Sequence, residues 1–248
     1  MFRLINESKP FINMSKLIFG LLLALCFARP TPPLPDSKLA KNVRGKVWPR
    51  LQKELNEKNL KPGSALYIRI FKEEDNLEIW VKSGHVFKFF KSYNICFFSG
   101  GLGTKTREGD LKSPEGFYTI APSQLNPASS YHLAINIGYP NKVERAKGCT
   151  GDAVMIHGTC ASNGCYAMTD EGIEDIYTLV YEAFAGGQKM MHLDIFPFRM
   201  DEGHMKKYAN SSVIGFWKNL RPGYELFERN HTPADAEGRG REYKFRNW

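Results

Sequence analysis

The chain has 248 residues, of which 42% are hydrophobic, and this is enough for one globular domain with extensions. Its 34 Lys and Arg residues against 26 Asp and Glu residues give a formal net charge of +8, which fits either an anionic partner or a plain basic surface. The sequence contains no nucleic-acid-binding motif, and its glycine-rich runs lack the Lys and Ser/Thr spacing of a phosphate loop. Composition and motifs therefore argue against nucleic-acid and nucleotide binding.

An apolar segment near the N-terminus predicts export. Residues 17–28 (LIFGLLLALCFA) follow Lys16 and precede a proline-rich stretch, which is typical of a signal peptide. We expect residues 1–28 to be a leader that is cleaved after Ala28, followed by a proline-rich linker at residues 29–36. Twelve apolar residues fall short of the ~20 needed to span a bilayer, so we expect membrane contact only through the leader.

The start codon and the processing of the leader have two further signals. Met14 stands just before the charged start of the leader, so translation begins at either Met1 or Met14. Lipoprotein processing at Cys26 needs a small residue before it, and Leu25 occupies that position, which argues against a lipid anchor. We therefore expect an exported protein in the periplasm or cell envelope.

Apolar patterning predicts several strands enclosed by helices. Residues 36–59 have Leu39, Val43, Val47 and Leu51 at spacings of four, which predicts a helix with one packed face. We assign residues 37–61 to this N-terminal helical segment. Thr169 is expected to cap a second helix that ends at Gly186 and Gly187, and residues 201–219 are expected to be helical. The predicted strands are residues 65–71, 77–81, 86–90, 117–121, 133–137, 153–156 and 190–198.

Two finer predictions concern the first strand and the C-terminus. Leu66, Ile68 and Ile70 alternate with Tyr67, Arg69 and Phe71, which predicts that one face of this strand points inward. Residues 238–248 (GRGREYKFRNW) mix arginine with aromatic residues, and we expect a mobile tail there, with docking on a polymer as the alternative.

The most informative local pattern is a histidine that precedes a glycine-flanked cysteine by eight residues. A thiol with a pKa near 8.5 is mostly protonated at neutral pH, so a cysteine nucleophile needs an imidazole as base. His157 can serve Cys165 in this way, delivered by the predicted strand at residues 153–156. Gly164 permits close substrate approach and a sharp turn before the cysteine. The pattern predicts acyl transfer.

The same segment carries a family resemblance. His157 and Gly158, followed by Ser162, any residue, Gly164 and Cys165, resemble the signature of the YkuD-type L,D-transpeptidase domain, and residues 166–170 (YAMTD) resemble its YafK-like branch. Further matches in the same order are residues 113–117 (SPEGF), 126–131 (NPASSY) and 136–141 (NIGYPN). The resemblance covers residues 62–200.

This resemblance implies both a fold and a reaction. The implied fold is α+β: a mainly β L,D-transpeptidase-like catalytic domain (mixed sheet or sandwich) at residues 62–200, with flanking N- and C-terminal helices and a helical extension with a basic tail at residues 201–248. The implied substrate is the peptide stem of peptidoglycan. Cysteine would attack the carbonyl of the third, diamino-acid residue and form a thioester, with no cofactor.

The fate of that thioester is left open by the sequence. An amine acceptor gives a cross-link or attaches a wall-linked protein, whereas water gives a carboxypeptidase or an enzyme that detaches such a protein. Many family members have arginine two positions after the cysteine, and here that position is Ala167, so we expect substrate handling to differ.

The other residues of the signature are expected to shape the loop or to contact the substrate. We expect the oxyanion to be held by backbone N–H groups at Cys165 and its neighbours, with Gly164 and Ser162 shaping the loop. No residue can be named from the sequence as the group that orients His157. The candidates for substrate contact are Tyr131, His132, Gly158, Asn163 and Tyr166.

Cysteine chemistry leaves two alternatives. In an oxidising compartment Cys149 and Cys160 could form a disulfide, leaving Cys96 as a buried thiol, although sequence does not fix connectivity. Four residues could in principle bind zinc: Cys149, His157, Cys160 and Cys165. Structural zinc sites usually contain cysteine pairs separated by two to four residues, and these four residues include no pair of that kind that leaves the site complete, so we expect no metal.

A papain-like protease and a non-catalytic wall-binding protein are the alternatives to an acyl-transfer enzyme. A papain-like protease has its histidine far downstream of the cysteine, whereas here His157 comes first and close to Cys165. A non-catalytic wall-binding protein would retain binding without forming a thioester. Both are weaker predictions than the acyl-transfer enzyme.

Overall fold

The computed structural model describes Met1 and residues 33–246. The predicted leader beyond Met1, including Met14 and Cys26, and residues 29–32 of the linker lie outside the described residues. None of the helices in the described part of the chain is both long and apolar enough to cross a bilayer.

Two five-stranded sheets form the centre of an α+β fold, which confirms the predicted fold class. The first sheet has the order β3 (Val86–Asn94), β2 (Asn76–Ser83), β1 (Leu66–Phe71), β10 (Met191–Phe196) and β5 (Gly116–Ile120). The second has the order β4 (Phe97–Phe98), β9 (Tyr166–Ala167), β8 (Met155–His157), β7 (Ala134–Asn136) and β6 (Leu125–Asn126). Each sheet contains one parallel pair, β1 with β10 and β8 with β9. The predicted strands are all present, with boundaries shifted by a few residues.

The central strand β1 is buried on both faces, which corrects the prediction of a single inward face. All six residues are buried. Ile68 and Ile70 belong to one apolar core, whereas Phe71 belongs to a second core on the other face. On that second face the ring of Tyr67 packs against Phe227 with 4.7 Å between ring centroids. Alternating residues thus face two different cores rather than core and solvent.

The predicted N-terminal helix is confirmed as α1 (Lys38–Glu57). It begins at Ser37, whose hydroxyl accepts a hydrogen bond from the Ala40 N–H at 3.1 Å. Leu39 is 40% exposed and Ala40 takes its place on the packed face, whereas the other three residues of the predicted stripe are buried as predicted. The buried residues are Ala40, Val43, Val47, Leu51 and Leu55.

The helix that follows the signature segment lies against α1. It is α3 (Asp170–Ala185), and the hydroxyl of Thr169 caps it by accepting from the Gly172 N–H, as predicted. Arg50 of α1 pairs with the buried carboxylate of Asp175 in α3. A shorter helix, α2 (Lys142–Ala146), follows the second sheet's β7.

The C-terminal region differs from the prediction in two ways. The expected helix at residues 201–219 is divided into α4 (Glu202–Lys207) and α5 (Ile214–Asn230). The expected mobile tail instead forms a hairpin of β11 (Ala236–Arg239) and β12 (Glu242–Phe245). Tyr243 anchors this hairpin because its side chain is buried and its hydroxyl accepts a 2.7 Å hydrogen bond from the Asn141 side chain.

Candidate active site

Two parallel strands bring the predicted histidine and cysteine together. His157 is the last residue of β8, and Cys165 directly precedes β9; the register pairs Ile156 with Tyr166. Both side chains line one open cavity of about 570 Å³. Residues at strand ends are held by the sheet while their side chains stay accessible. The fold therefore places both groups at a common cleft, as expected from the sequence.

The His157 ring is oriented by a backbone carbonyl. Its Nδ1 atom lies 2.6 Å from the carbonyl oxygen of Gly158. A carbonyl oxygen only accepts hydrogen bonds, so Nδ1 carries the proton and Nε2 carries the lone pair. The Tyr131 ring packs against the imidazole with 4.7 Å between ring centroids. The orienting group that sequence could not name is a main-chain atom, for which side-chain identity gives no signal.

The Cys165 thiol lies among backbone groups. Its Sγ atom accepts from the Met155 N–H at 3.4 Å and donates to the Ala153 carbonyl oxygen at 3.8 Å. Among the described residues, no hydrogen bond joins this sulfur to His157, so the two share a cavity without direct contact. Catalytic hydrogen bonds are often long before substrate binds.

Burial favours the neutral form of both groups. It lowers the pKa of His157, against the smaller opposing effect of the Gly158 carbonyl. It raises the pKa of the Cys165 thiol, while the Met155 N–H and the Ser162 hydroxyl act in the opposite direction. At neutral pH the resting pair is a thiol and a neutral imidazole, which is a base able to accept a proton.

Ser162 forms hydrogen bonds with both the N–H and the carbonyl group of Cys165. Its hydroxyl accepts from the Cys165 N–H at 2.7 Å and donates to the Cys165 carbonyl at 2.9 Å. Ser113 donates to the same carbonyl at 3.1 Å. The Cys165 N–H, which the sequence analysis expects to be an oxyanion donor, is hydrogen-bonded to this hydroxyl in the structure. Gly164 adopts φ of +112°, a conformation that favours glycine.

A disulfide joins the loop before Cys165 to the residue that directly precedes β4, the edge strand of the second sheet. Cys160 is bonded to Cys96, with 5.3 Å between their Cα atoms, and Cys149 is a free thiol. The alternative of a Cys149–Cys160 disulfide is therefore wrong. Sequence spacing gave no signal, because Cys96 is adjacent only through the pairing of β4 with β9.

Comparisons with known proteins identify the family to which this chain belongs. The model of the YkuD family, the L,D-transpeptidase catalytic domain, matches residues 65–192, which include both site residues. The chain belongs to the L,D-transpeptidase catalytic domain family. It is 50% identical over 171 residues to the protein named "Putative L,D-transpeptidase YafK" of Escherichia coli K12, covering 69% of this chain and 70% of that protein. The protein of the same name from Escherichia coli O157:H7 matches equally.

Solved structures with lower identity are also similar. The helical cell shape determining protein Pgp2 of Campylobacter jejuni is 21% identical with a TM-score of 0.44, and the match covers 72% of this chain and 64% of that chain. Bd1075 of Bdellovibrio bacteriovorus is 19% identical with a TM-score of 0.36, covering 66% and 60%. This chain thus spans just under two thirds of the length of these solved structures.

The other predicted contact residues of this L,D-transpeptidase domain lie in different places. Asn163 and Tyr131 line the cavity of His157. His132 is absent from the cavity lining and lies 3.0 Å from the Glu174 carboxylate. Tyr166 is fully buried, and its hydroxyl donates to the Pro114 carbonyl at 2.6 Å. Gly158 packs tightly: a Cβ there would lie 2.6 Å from the Asp170 carboxylate.

Sequence reasoning missed several residues around Cys165. Phe97, Ala153 and Met155 line the cavity, but as ordinary apolar residues they gave no signal. Lys105, from the glycine-rich stretch, lines a smaller cavity that also borders Cys165. Among the described residues, no group of three or more His, Cys, Asp or Glu side chains is placed to hold a metal ion.

Proposed function

We propose that this protein is an exported cysteine acyl-transferase that acts on peptidoglycan stem peptides, with Cys165 as nucleophile and His157 as general base. The observation that carries the proposal is the shared cavity, in which Gly158 holds Nδ1 and leaves Nε2 of His157 basic. Membership of the L,D-transpeptidase family and the 50% identical relative support the substrate class. The Cys96–Cys160 disulfide supports an oxidising compartment, the periplasm or cell envelope.

The reaction begins with proton transfer from the Cys165 thiol to Nε2 of His157. The thiolate attacks the carbonyl carbon of the donor residue, and the C=O electron pair moves onto oxygen. Collapse of this intermediate breaks the C–N bond, and His157 gives its proton to the leaving amine. The product is a thioester on Cys165. An acceptor amine then loses a proton to His157, attacks the thioester and releases the thiol.

Hydrolysis is the second candidate. Two aromatic residues of the cavity wall, Phe97 and Tyr131, are 46% and 45% exposed, and an open wall of this kind would admit water to a thioester on Cys165. Water as acceptor would use the same two residues in the same order. The protein would then be a carboxypeptidase or would detach a wall-linked protein.

The proposal is tested by incubating the purified full-length protein with tetrapeptide-bearing muropeptides and analysing the products by mass spectrometry. We expect dimers with a new cross-link, and we expect Cys165→Ala and His157→Gln to abolish them. Tripeptides alone would identify the hydrolase instead.

The matched control is Cys149→Ser, which removes a free thiol outside the cavity lining. This variant should retain activity. Product formation that survives Cys165→Ala would refute the assigned nucleophile, and intact substrate with wild-type protein would refute both reactions.

A further inference from the structure

A cavity at the edge of the first sheet has no part in the proposed reaction. It measures about 430 Å³ and is lined by residues of the edge strand β5, the helix α2 and the hairpin of β11 and β12. Cys165 and His157 are absent from its lining. Its volume falls within the range of about 300–1,000 Å³ that is usual for ligand sites. The cavity is therefore a candidate for a second binding site.

The hairpin and α2 form one continuous wall of this cavity. A Cβ at Gly238 of β11 would lie 3.0 Å from the side chain of Val143 and 3.3 Å from Cβ of Lys142. The Tyr243 hydroxyl of β12 accepts a 2.7 Å hydrogen bond from Asn141, the residue before α2. Because this packing holds the two elements together, the charges that they carry belong to a single surface.

Four cations of this surface have no carboxylate partner among the described residues. Two of them, Lys142 and Arg145, line the cavity. The other two are Lys147, which follows α2, and Arg241 at the tip of the hairpin. Burial lowers the pKa of Lys147, and the nearby Arg241 charge acts in the same direction. Like charges that are held together without counter-charges favour an anionic ligand.

The carboxylates of the same surface do not supply those counter-charges. Three of them pair with other cations: Asp235 with Arg246 at 3.4 Å, Glu237 with Arg239 at 3.0 Å, and Glu242 with Lys244 at 2.9 Å. Glu144 of α2 is buried, which raises its pKa to about 7, and its carboxylate accepts from the Tyr118 hydroxyl. The surface therefore keeps the positive charge of the four cations.

Strand β5 presents an open backbone edge to the cavity. On that edge the Phe117 N–H donates to the Tyr243 hydroxyl at 3.4 Å, and the Phe117 carbonyl accepts from the Asn141 side chain at 3.2 Å. Outward backbone groups recur at every second residue of an antiparallel strand, so those of Thr119 also face away from β10. Thr119 lines the cavity, and no turn or loop group of the described residues bonds to its N–H or carbonyl. One donor and one acceptor are therefore free to bind a peptide group.

The free cations and the open strand edge together fit a peptide that carries carboxylates. Lysine and arginine bind carboxylates through charge-assisted hydrogen bonds, and an open strand edge binds the main chain of a peptide. A lipid surface would leave the strand edge unused. Among the described residues, no large exposed apolar side chain belongs to α2 or to the hairpin, so this surface offers none for insertion into a bilayer. The stem peptides of the proposed substrate combine peptide bonds with carboxylates.

We propose that α2, the edge of β5 and the terminal hairpin form a second, non-catalytic binding surface for carboxylate-bearing stem peptides of the wall polymer. Lys142 and Arg145 bind carboxylates, and the Thr119 backbone binds a peptide group. The identity of this ligand rests on the proposed function. The surface holds the protein on the polymer while a different stem peptide occupies the cavity of Cys165.

The first test measures co-sedimentation of the full chain with insoluble peptidoglycan sacculi. Cys165→Ala is included so that no turnover accompanies binding. Adding Lys142→Met and Arg145→Met should weaken binding about 10-fold or more, because charge-assisted contacts are lost. Both residues are exposed, so the variant is expected to fold. Unchanged binding by this variant would overturn the assignment.

The matched control replaces two exposed lysines elsewhere, Lys61→Met and Lys189→Met, and so removes the same net charge. Neither lysine lines the cavity. This variant should bind sacculi as tightly as the protein that carries Cys165→Ala alone. A loss equal to that caused by Lys142→Met and Arg145→Met would show that only the total charge matters, and the assignment would fail.

Two further probes decide which group is recognised. Sacculi whose carboxylates have been converted to amides should lose the binding that depends on Lys142 and Arg145. Vesicles of phosphatidylglycerol and phosphatidylcholine should not compete with sacculi for the protein at about 0.15 M salt. Full binding to amidated sacculi would overturn carboxylate recognition, and competition by the vesicles would assign the surface to a lipid instead.

Nuclear magnetic resonance tests the location of binding. Titration of the Cys165→Ala protein with a soluble tripeptide fragment should shift the amide signals of Thr119 and Gly238, which both line the cavity. Signals that move only around Cys165 would contradict a second site.

The outcomes separate this assignment from the proposed function. Turnover of tetrapeptide-bearing muropeptides by protein with Cys165 intact tests the enzyme alone. Sacculus binding that depends on Lys142 and Arg145, without thiol-dependent turnover, would keep the surface and reject the enzyme. Thiol-dependent turnover with sacculus binding that ignores both residues would keep the enzyme and reject the surface.

Discussion

At the scale of single residues, the candidate site holds Cys165 and His157 in their neutral forms. Cys165 and His157 are both shifted by burial toward their uncharged forms, the thiol upward in pKa and the imidazole downward. In the proposed mechanism, proton transfer from Cys165 to His157 would therefore accompany the approach of substrate instead of being complete beforehand. This differs from cysteine sites that hold a thiolate and an imidazolium at rest.

The neutral pair predicts a particular pH dependence. The base loses activity only when His157 is protonated, so the acid limb of kcat/KM should lie below pH 6.5, the ordinary pKa of histidine. Alkylation of Cys165 by iodoacetamide should be slow at pH 7 and should rise through pH 9, because the thiol pKa is raised. Cys149→Ser removes the background from the other free thiol that the structure describes. Fast alkylation that is constant from pH 5 upward would instead indicate a resting ion pair.

Gly158 is expected to tolerate no side chain. A Cβ there would approach the Asp170 carboxylate to 2.6 Å and Cγ2 of Ile173 to 3.0 Å. Gly158→Ala should therefore destabilise the fold by about 1–3 kcal/mol and reduce turnover, because the Gly158 carbonyl orients His157. Urea unfolding and muropeptide turnover measure the two effects.

The matched control for that substitution is Gly45→Ala in α1, where a Cβ would meet nothing within 4 Å. It should stabilise the protein by roughly 0.5–1 kcal/mol, since alanine favours helix over glycine. A Gly158→Ala protein as stable and active as wild type would refute the packing argument.

Sequence was most informative where side-chain chemistry is the signal. The placement of His157 and Cys165 followed from residue type and spacing, and both lie at the predicted cleft. The contacts that complete the site were not predictable, because the Gly158 carbonyl and the Met155 N–H are backbone atoms. Tyr166 stands beside the cysteine in sequence, yet strand alternation turns its ring into the core.

At the scale of elements, the disulfide between Cys96 and Cys160 constrains the conformation of the loop from Gly158 to Gly164. Thr159 and Cys160 both have positive φ, and the loop contains Ser162, which fixes the Cys165 backbone. The disulfide to Cys96 holds this loop against β4. Backbone strain at residues with positive φ persists only where the surrounding structure holds the chain in that conformation.

Removing the disulfide should loosen this loop. For a sequence separation of 64 residues, the chain-entropy model gives about 4 kcal/mol of stabilisation. The double variant Cys96→Ser/Cys160→Ser should lose stability of this order and most of its turnover, as measured by thermal unfolding and muropeptide assay. Cys149→Ser should match wild type in both. A fully active double variant would show that the loop holds its shape unaided.

Helices and strands were predicted to different extents. α1 and α3 have capping residues and long apolar stripes, so their positions followed from the sequence. The sequence did not predict the division between α4 and α5. It also did not predict the terminal hairpin, because a hairpin with one buried tyrosine has little apolar periodicity. Its order comes from tertiary contacts, chiefly those of Tyr243 with Asn141 and Asn219.

At the scale of the whole molecule, a buried ion pair connects the first sheet to the candidate active site. Lys72 follows β1 and lies 3.0 Å from Glu115, and both side chains are fully buried. Glu115 also accepts from Trp217 of α5 at 2.8 Å. The Lys72 ammonium donates to the Ser113 carbonyl, and the Ser113 hydroxyl contacts Cys165. These hydrogen bonds form one network from α5 to the thiol's backbone.

Breaking this network from one side should be costly. Lys72→Met leaves Glu115 buried without its cation, which typically costs about 3–5 kcal/mol. We expect a comparable fall in the free energy of unfolding, measured in urea. The control is Lys207→Met, which removes an exposed lysine paired with Glu73 and should lower the free energy of unfolding far less than Lys72→Met, because solvent screens exposed ion pairs. Equal costs for the two variants would contradict a structural role for the buried pair.

The sequence predicted the fold class but not this long-range order. Lys72, Glu115 and Trp217 are far apart along the chain, and a lysine or glutamate in isolation indicates a solvated surface. The two cores on opposite faces of β1 were likewise hidden, since alternation alone does not say what covers the second face.

The connectivity of the disulfide also bears on how the protein matures. Cys165 lies five residues from Cys160, and before the fold forms either one is within reach of Cys96. Oxidation of Cys96 with Cys165 would yield a misbridged isomer in which the proposed nucleophile is blocked. If Cys165 is the nucleophile, the specific activity of a preparation should rise after treatment with a thiol-exchange buffer, which converts the misbridged fraction to the native disulfide.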